Sequence, residues 1–236
     1  MSDIKKTVLI DGDQISYTAA FSCEKEIKWD EDTWSLTSSE TDLRSTLNHL
    51  IEKAKADTGA SEYRLALSSP KLFRKDLYPD YKANRTSRKP LGLKFCHQYL
   101  KEEHGAEIHD GFEADDLLGI WACKQHDKII WAADKDFFTV PCFLYRNDRL
   151  HRITESDADR YLRLQTMIGD TVDNYKGAKG FGEKTAEKWL NKWGDSWDSV
   201  YRAFQKAGQS NDEFRTNAKL ARILRSFDDI KWEPAL

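Results

Sequence analysis

Three short apolar runs in this chain each give way to carboxylates, and that pattern constrains the fold more than any other feature. Residues 7–10 (TVLI) stop at Asp11 and Gly12, and residues 128–132 (KIIWA) stop just before Asp134 and Asp136. Residues 106–109 precede Glu113, Asp115 and Asp116, which open a predicted helix over 114–124. Apolar runs this short fit strands buried on both faces. Between them the spacing is helical: a capping candidate at Ser39 and then Leu43, Leu47, Leu50 and Ile51 predict a helix over 39–58, and 91–104 predicts another. Residues 63–67 and 142–145 read as further strands, and 27–37 as a hairpin around an acidic turn. Strands alternating with helices argue for an α/β fold with a largely parallel sheet. All three acid clusters then fall on its carboxyl edge, where such sheets bind ligands. Beyond residue 156 the pattern is helical, over 157–168, 183–193, 197–206 and 217–225. The expected organisation is an α/β core over 1–155 and a helical subdomain over 156–236 packed on it.

Each acid has a bland explanation alone. Asp115 or Asp116 suits a helix N-terminus, and Asp11-Gly12 suits a turn. Three strand ends carrying acids on one edge are harder to explain that way, because gathered carboxylates raise each other's pKa and oppose folding. Hard divalent cations remove the penalty. Mg²⁺ takes oxygen ligands, keeps several waters and is served by carboxylates from several elements. Two such ions roughly 3.5–4 Å apart can ionise a water and stabilise the leaving oxygen of a phosphodiester.

The net charge of −3 does not point to nucleic acid, but its distribution does. Between Lys71 and Lys101 stand nine Lys/Arg against Asp76 and Asp80, and between Lys176 and Lys192 five lysines against Glu183 and Glu187. In the second stretch Gly177, Gly180 and Gly182 free the backbone just before a helix N-terminus, with Lys179, Lys184 and Lys188 nearby. That combination makes a phosphate clamp of the helix-hairpin-helix kind, which positions DNA without reading bases. Asp170 and Asp173 precede it, and a phosphate loop tolerates them only beside a metal. Trp131, Trp189 and Trp193 read as core. His49, His97, His104, His109, His126 and His151 form no ligand pattern. Four dispersed cysteines give neither a zinc site nor a disulfide framework. With no membrane-spanning stretch and no signal-peptide run at the N-terminus, the expected setting is the cytoplasm.

The motifs resemble the flap endonuclease/5′ nuclease family, which includes the 5′-3′ exonuclease domain of bacterial DNA polymerase I and stand-alone bacteriophage 5′ nucleases. They are IDG at 10–12, FRKDLYPDYKANR at 73–85, FEADDLLG at 112–119, AADKDF at 133–137 with its preceding alanine, and IGDTVDN…GAKGFGEKTA at 168–186. The resemblance implies a PIN-like sheet, a helical arch or clamp at about 70–95 and a helix-three-turn-helix loop. It implies that Asp11, Glu113, Asp115 and Asp116 hold a first Mg²⁺, and Asp134, Asp136, Asp170 and Asp173 a second, with Mn²⁺ able to replace either. Lys82 and Arg85 would contact the scissile phosphate and Tyr81 would stack on a base. Lys71, Arg74, Lys75, Arg88 and Lys89 would bind DNA from the arch, and Gly177, Lys179, Gly180, Gly182, Lys184 and Thr185 from the loop. A K⁺ ion would sit on loop carbonyls, assigned to Ala178 and Phe181. The implied partner is DNA with a 5′ end, flap, nick or junction, bound by a monomer, in the host cytoplasm if the source is viral.

One departure stands out. Where the family carries an Asp shortly before the arch, this chain reads Leu67-Ser68-Ser69-Pro70. Asp13 substitutes if the chain stays extended after Asp11; otherwise Ser68 or Ser69 holds a metal-bound water, and the first site needs more Mg²⁺ or prefers Mn²⁺. Two rival readings are a PIN-type ribonuclease, which would lack the glycine–lysine loop and the basic arch, and a catalytically weakened DNA-structure-binding protein.

Overall fold

The computed structural model describes residues 6–124 and 127–236, so the expectations for residues 1–5 and His126 lie outside the described residues. Strand β1 (Thr7–Asp11) is buried through Val8, Leu9 and Ile10. The chain then turns at once into α1 (Gly12–Ser22), capped by Asp11, whose side chain accepts the N–H groups of Asp13 and Gln14. The extended path expected for Asp13 is therefore wrong: Asp13 lies in the first turn of a helix. Gly12 allows the sharp turn, since a Cβ there would meet the Ala66 carbonyl at 2.6 Å.

Strands β2 (Glu24–Lys28) and β3 (Trp34–Ser38) form the expected hairpin, and α2 (Glu40–Thr58) follows with Ser39 as its N-cap. Strand β4 (Glu62–Ala66) leads to the short α3 (Phe73–Leu77), and α4 (Leu93–Glu103) comes only after a run of turns. The basic stretch expected as a helical arch over about 70–95 is thus one short helix and a turn-rich strap. Helix α5 (Ala114–Lys124), β5 (Lys128–Trp131), β6 (Phe143–Arg146) and β7 (Arg149–Arg152) complete the sheet half.

The sheet order is β4-β1-β5-β6-β7, parallel except for β7. Alternation sends Leu9 to one face and Val8 and Ile10 to the other. Leu9 packs with Leu118, Trp121, Phe137 and Leu144; Val8 and Ile10 pack with Ile15, Leu47, Ile51 and Leu100. Both faces are covered, as parallel sheets require. Strand β7 was not expected; it follows β6 through Asn147 and Asp148, both at positive φ, the dipeptide turn that tight hairpins favour. The strand expected over 106–109 is reduced to one bridge between Ala66 and Glu107, between turns at Gly105 and Gly111.

The helical half comprises α6 (Glu155–Ile168), α7 (Glu183–Trp193), α8 (Trp197–Lys206) and α9 (Asn211–Ala221) around Met167, Leu190, Phe204 and Phe214. Helix α9 starts earlier than expected because Ser210 and Glu213 form a capping box. Trp131 and Trp189 pack against cores as expected, whereas Trp193 remains 48% exposed. Among the described residues no helix is long and apolar enough to cross a membrane.

Candidate active site

Parallel pairing aligns Ile10 with Leu65 and with Trp131, so the chain leaves β1, β4 and β5 at one level. Asp11, Ser68 and Asp134 follow directly and open onto a cleft of about 700 Å³. Asp13, Glu113, Asp115, Asp136, Asp170 and Asp173 line the same cleft, and Asp116 does not. The structure therefore gathers eight of the nine expected acids, and within the nine two groups stand in contrasting electrostatic surroundings.

Around Asp11, Asp115 and Asp136 the neighbouring charges are mainly negative, with Lys82 and Lys135 acting the other way on Asp115 and Asp136. Burial and the neighbouring Asp13 and Asp134 push the Asp11 carboxyl up to about 7. Burial and the charges of Asp134 and Asp170 do the same to Asp136, also to about 7. Asp115 is held well above the usual carboxylate range by burial and then by Asp11 and Asp134, and its buried Oδ1 has no hydrogen-bond partner. Asp134 stands between the two ends of this cluster: it acts on Asp11 and Asp115 on one side and on Asp136 on the other. Among the described residues no three ligand groups already stand at metal-binding separations.

The second set is already neutralised by the protein's own cations. Arg74, 2% exposed, donates to both oxygens of Asp116 at 2.7 and 2.8 Å, to Glu113 Oε2 at 3.0 Å and to the Arg222 carbonyl at 2.6 Å. Asp116 also accepts the N–H groups of Glu113 and Leu224 and is fully buried. The structure puts both residues to a different use from the one expected: Arg74 borders the cleft but is buried in this network, and both oxygens of Asp116 are engaged by it. The cause is a buried ion-pair network joining α3, α5 and the chain after α9.

Lys82 forms an ion pair with Glu113 and lies 3.7 Å from Asp173, while Arg85 holds Asp173 at 2.6 Å. Burial works to lower the Lys82 pKa, but Glu113 and Asp173 override it and raise it. Burial opposes ionisation of Glu113, but Arg74 and Lys82 keep its pKa low. Tyr81, expected to stack on a base, is 2% exposed and donates its hydroxyl toward Glu113 at 3.0 Å or Asp173 at 2.9 Å. Its ring belongs to the small core with Leu162, Tyr175 and Leu220, so it is not presented to a base. Asn84 donates to the Thr171 carbonyl and Asn174 to that of Asp80, which fastens the strap to the 170–174 loop. Of the other strap cations, Lys71, Lys75 and Lys89 are exposed, and Lys89 borders the cleft. Arg88 is engaged by Glu24 at the base of the hairpin.

Helix α1 brings Asp13 to the place where the sequence lacks an acid. Its Oδ2 accepts the Ser68 N–H at 3.0 Å, and Oδ1 lies 3.2 Å from His97 Nε2. Ser68 Oγ accepts the Ala114 N–H, and Ser69 Oγ donates to Asp110 and accepts from Lys71 N–H. Both hydroxyls thus serve the backbone around α5 and the strap. His97 was missed because α4 brings it into the cleft from far along the chain, and no local spacing marks it.

In the glycine loop, Gly180, Gly182, Lys179, Lys184 and Thr185 are exposed at the start of α7. Gly177 is different. Buried at φ 47°, it donates its N–H to Asn217, and a Cβ there would collide with the Met167 carbonyl. It shapes the loop and offers nothing to a phosphate. Ala178 and Phe181 are buried in the helical core, and the Ala178 carbonyl accepts the Phe181 N–H at 3.0 Å.

Known proteins resemble this chain in sequence and in fold. A family model described as 5′-3′ exonuclease, N-terminal resolvase-like domain, matches residues 6–158, and one described as 5′-3′ exonuclease, C-terminal SAM fold, matches residues 156–235. The exodeoxyribonuclease of Enterobacteria phage T3 is 28% identical over 269 aligned positions, covering 94% of this chain and 89% of its own length. The exonuclease of Escherichia phage T7 is 32% identical over 204, covering 80% and 67%. The solved structure of the phage T5 5′-exonuclease with divalent zinc ions shares the fold at a TM-score of 0.64 and 17% identity, covering 91% and 88% of the two chains. The chain belongs to the 5′-3′ exonuclease family of nucleases. That membership displaces the PIN-type ribonuclease reading and keeps the PIN-like sheet.

Proposed function

We propose that this chain is a structure-specific 5′ nuclease, a Mg²⁺-dependent exonuclease or flap endonuclease that hydrolyses DNA with two divalent ions, Mn²⁺ able to replace them. The observation that carries the reading is the orphaned Asp115 Oδ1, buried between Asp11 and Asp134 with its nearest charges mostly negative. Asp11, Asp13 and Asp115 would hold one ion and Asp136 and Asp170 the other, with Asp134 between them. Such ions supply hydroxide from water at neutral pH and neutralise the leaving oxygen. Lys82 and Arg85 would exchange Glu113 and Asp173 for a DNA phosphate, which frees those carboxylates. Lys71, Lys75 and Lys89 on the strap and Lys179, Lys184 and Thr185 at the start of α7 would hold the DNA backbone. A K⁺ ion on the carbonyls of residues 178 and 181 belongs to the same proposal. The core over 1–155 and the helical part over 156–236 would act as one monomeric clamp.

The reading is tested by incubating 5′-labelled flap, nicked, gapped and blunt duplexes with Mg²⁺ or EDTA. Metal-dependent release of short 5′ products supports it. Metal-independent binding without cleavage would instead identify a catalytically weakened DNA-structure-binding protein.

The raised carboxyls set the pH dependence of stability. Their folded pKa values, about 7 for Asp11 and Asp136, lie above the 3.8 of an ordinary aspartate, so the folded state holds extra protons between those limits. Stability from these groups is greatest below the unfolded pKa and is lost as pH rises through the folded one. The Tm gained in saturating Mg²⁺ over EDTA should therefore grow from about pH 4 to about pH 7, because only the metal-free protein loses this contribution. Thermal melts across the range check it; identical profiles with and without metal would argue against the cluster.

Lys184 is exposed on the first turn of α7. Lys184→Ala should weaken binding evenly across DNA sequences and reduce the slope of log affinity against log salt by about 1. Fluorescence anisotropy at several salt concentrations measures both.

A further inference from the structure

The carboxylate cluster contains one nitrogen donor that the carboxylate scheme leaves unused. His97 Nε2 is buried, has no hydrogen-bond partner and lies 3.2 Å from Asp13 Oδ1. The two atoms approach closely without meeting the geometry of a hydrogen bond. Two ligands of one ion with bonds of about 2.1 Å stand about 3.0 Å apart at right angles and about 3.4 Å apart at the tetrahedral angle. The observed spacing falls between these values. Asp13 Oδ1 is otherwise free, because the Ser68 N–H is taken by Oδ2. Both residues line the cleft that holds Asp11 and Asp115.

We propose that Asp13 and His97 together replace the missing strand-end carboxylate, which makes the first metal site of this chain a mixed oxygen–nitrogen site that favours Mn²⁺ over Mg²⁺. Imidazole is a borderline-soft donor that suits transition metals, whereas Mg²⁺ takes oxygen. With Asp11 and Asp115 as the other protein donors of this ion, water completes its shell. The inference rests on the two-ion reading above but adds a ligand and a metal preference to it.

The test is binding, not turnover. Electron spin-echo spectroscopy of Mn²⁺ bound to the wild-type protein should show coupling to an imidazole nitrogen, and His97→Gln should lose it. Titration followed by the signal of free Mn²⁺ should give a loss of about tenfold to a hundredfold in affinity for His97→Gln. Calorimetric Mg²⁺ affinity should change less than twofold. His97 is partly exposed, with a side chain 37% accessible, so the substitution leaves the core intact. Bound Mn²⁺ without nitrogen coupling, or equal Mn²⁺ affinities, would overturn the inference while the two-ion reading stands. Wild-type protein that binds neither Mn²⁺ nor Mg²⁺ would overturn both.

Discussion

Asp115→Asn should lower the single-turnover cleavage rate by about a thousandfold or more, while raising the Tm of the metal-free protein at neutral pH. The two effects have one cause. Asp115 sits buried beside Asp11 and Asp134 with Oδ1 unpaired, so its charge burdens the metal-free fold. Asparagine keeps the shape and removes the charge. A ligand to a catalytic divalent ion contributes several kcal/mol to transition-state charge stabilisation, and about 4 kcal/mol corresponds to a thousandfold in rate. Rapid-quench kinetics on a 5′-labelled duplex and thermal melts in EDTA measure the two effects. A variant that loses activity and stability together would mark Asp115 as a structural residue instead.

The largest effect on stability is expected from Arg74→Ala. The guanidinium is enclosed by Asp116, Glu113 and the Arg222 carbonyl, and burial leaves no water to replace it. Removing one partner of a buried ion pair costs about 3–5 kcal/mol because the other charge stays behind. In a chain of this size that corresponds to a fall in Tm of roughly 6–20 °C. Arg74→Met combined with Asp116→Leu should recover part of the loss, since it leaves fewer stranded charges. If Arg74 instead served DNA, Arg74→Ala would melt like the wild type and lose only affinity, and denaturation alongside anisotropy separates the two cases.

These two residues also mark what the sequence makes legible. The edge acids are readable because strand length, helix periodicity and parallel connection rules put their positions in one place before any contact is known. Asp116 stands next to Asp115 and reads the same, yet one turns to Arg74 and the other to the cleft. That difference depends on a partner 42 residues away. Arg74 and Lys75 are likewise adjacent in a basic run, and only packing against α5 separates the buried one from the exposed one. Tyr81 fails for the same reason: its ring meets Leu162, Tyr175 and Leu220, which are remote in sequence. Other misses were local. The Ser-Asn-Asp-Glu start of α9 is a capping-box pattern, and Ile15 with Ala19 after Asp11 has the spacing of α1. Helix α1 then brings Asp13 to Ser68 by a route opposite to the extended one expected.

The carboxyl edge is expected to cut DNA by means of divalent ions held around Asp134. The most direct measurement follows a 5′-labelled flap duplex with the wild-type protein in Mg²⁺, in EDTA, and in EDTA followed by excess Mg²⁺, beside Asp134→Ala in Mg²⁺. Short 5′ products are expected in the first condition, none in the second, full recovery in the third and almost none from the variant. Cleavage that persists in EDTA, or an Asp134→Ala variant that cuts as fast as the wild type, would contradict it.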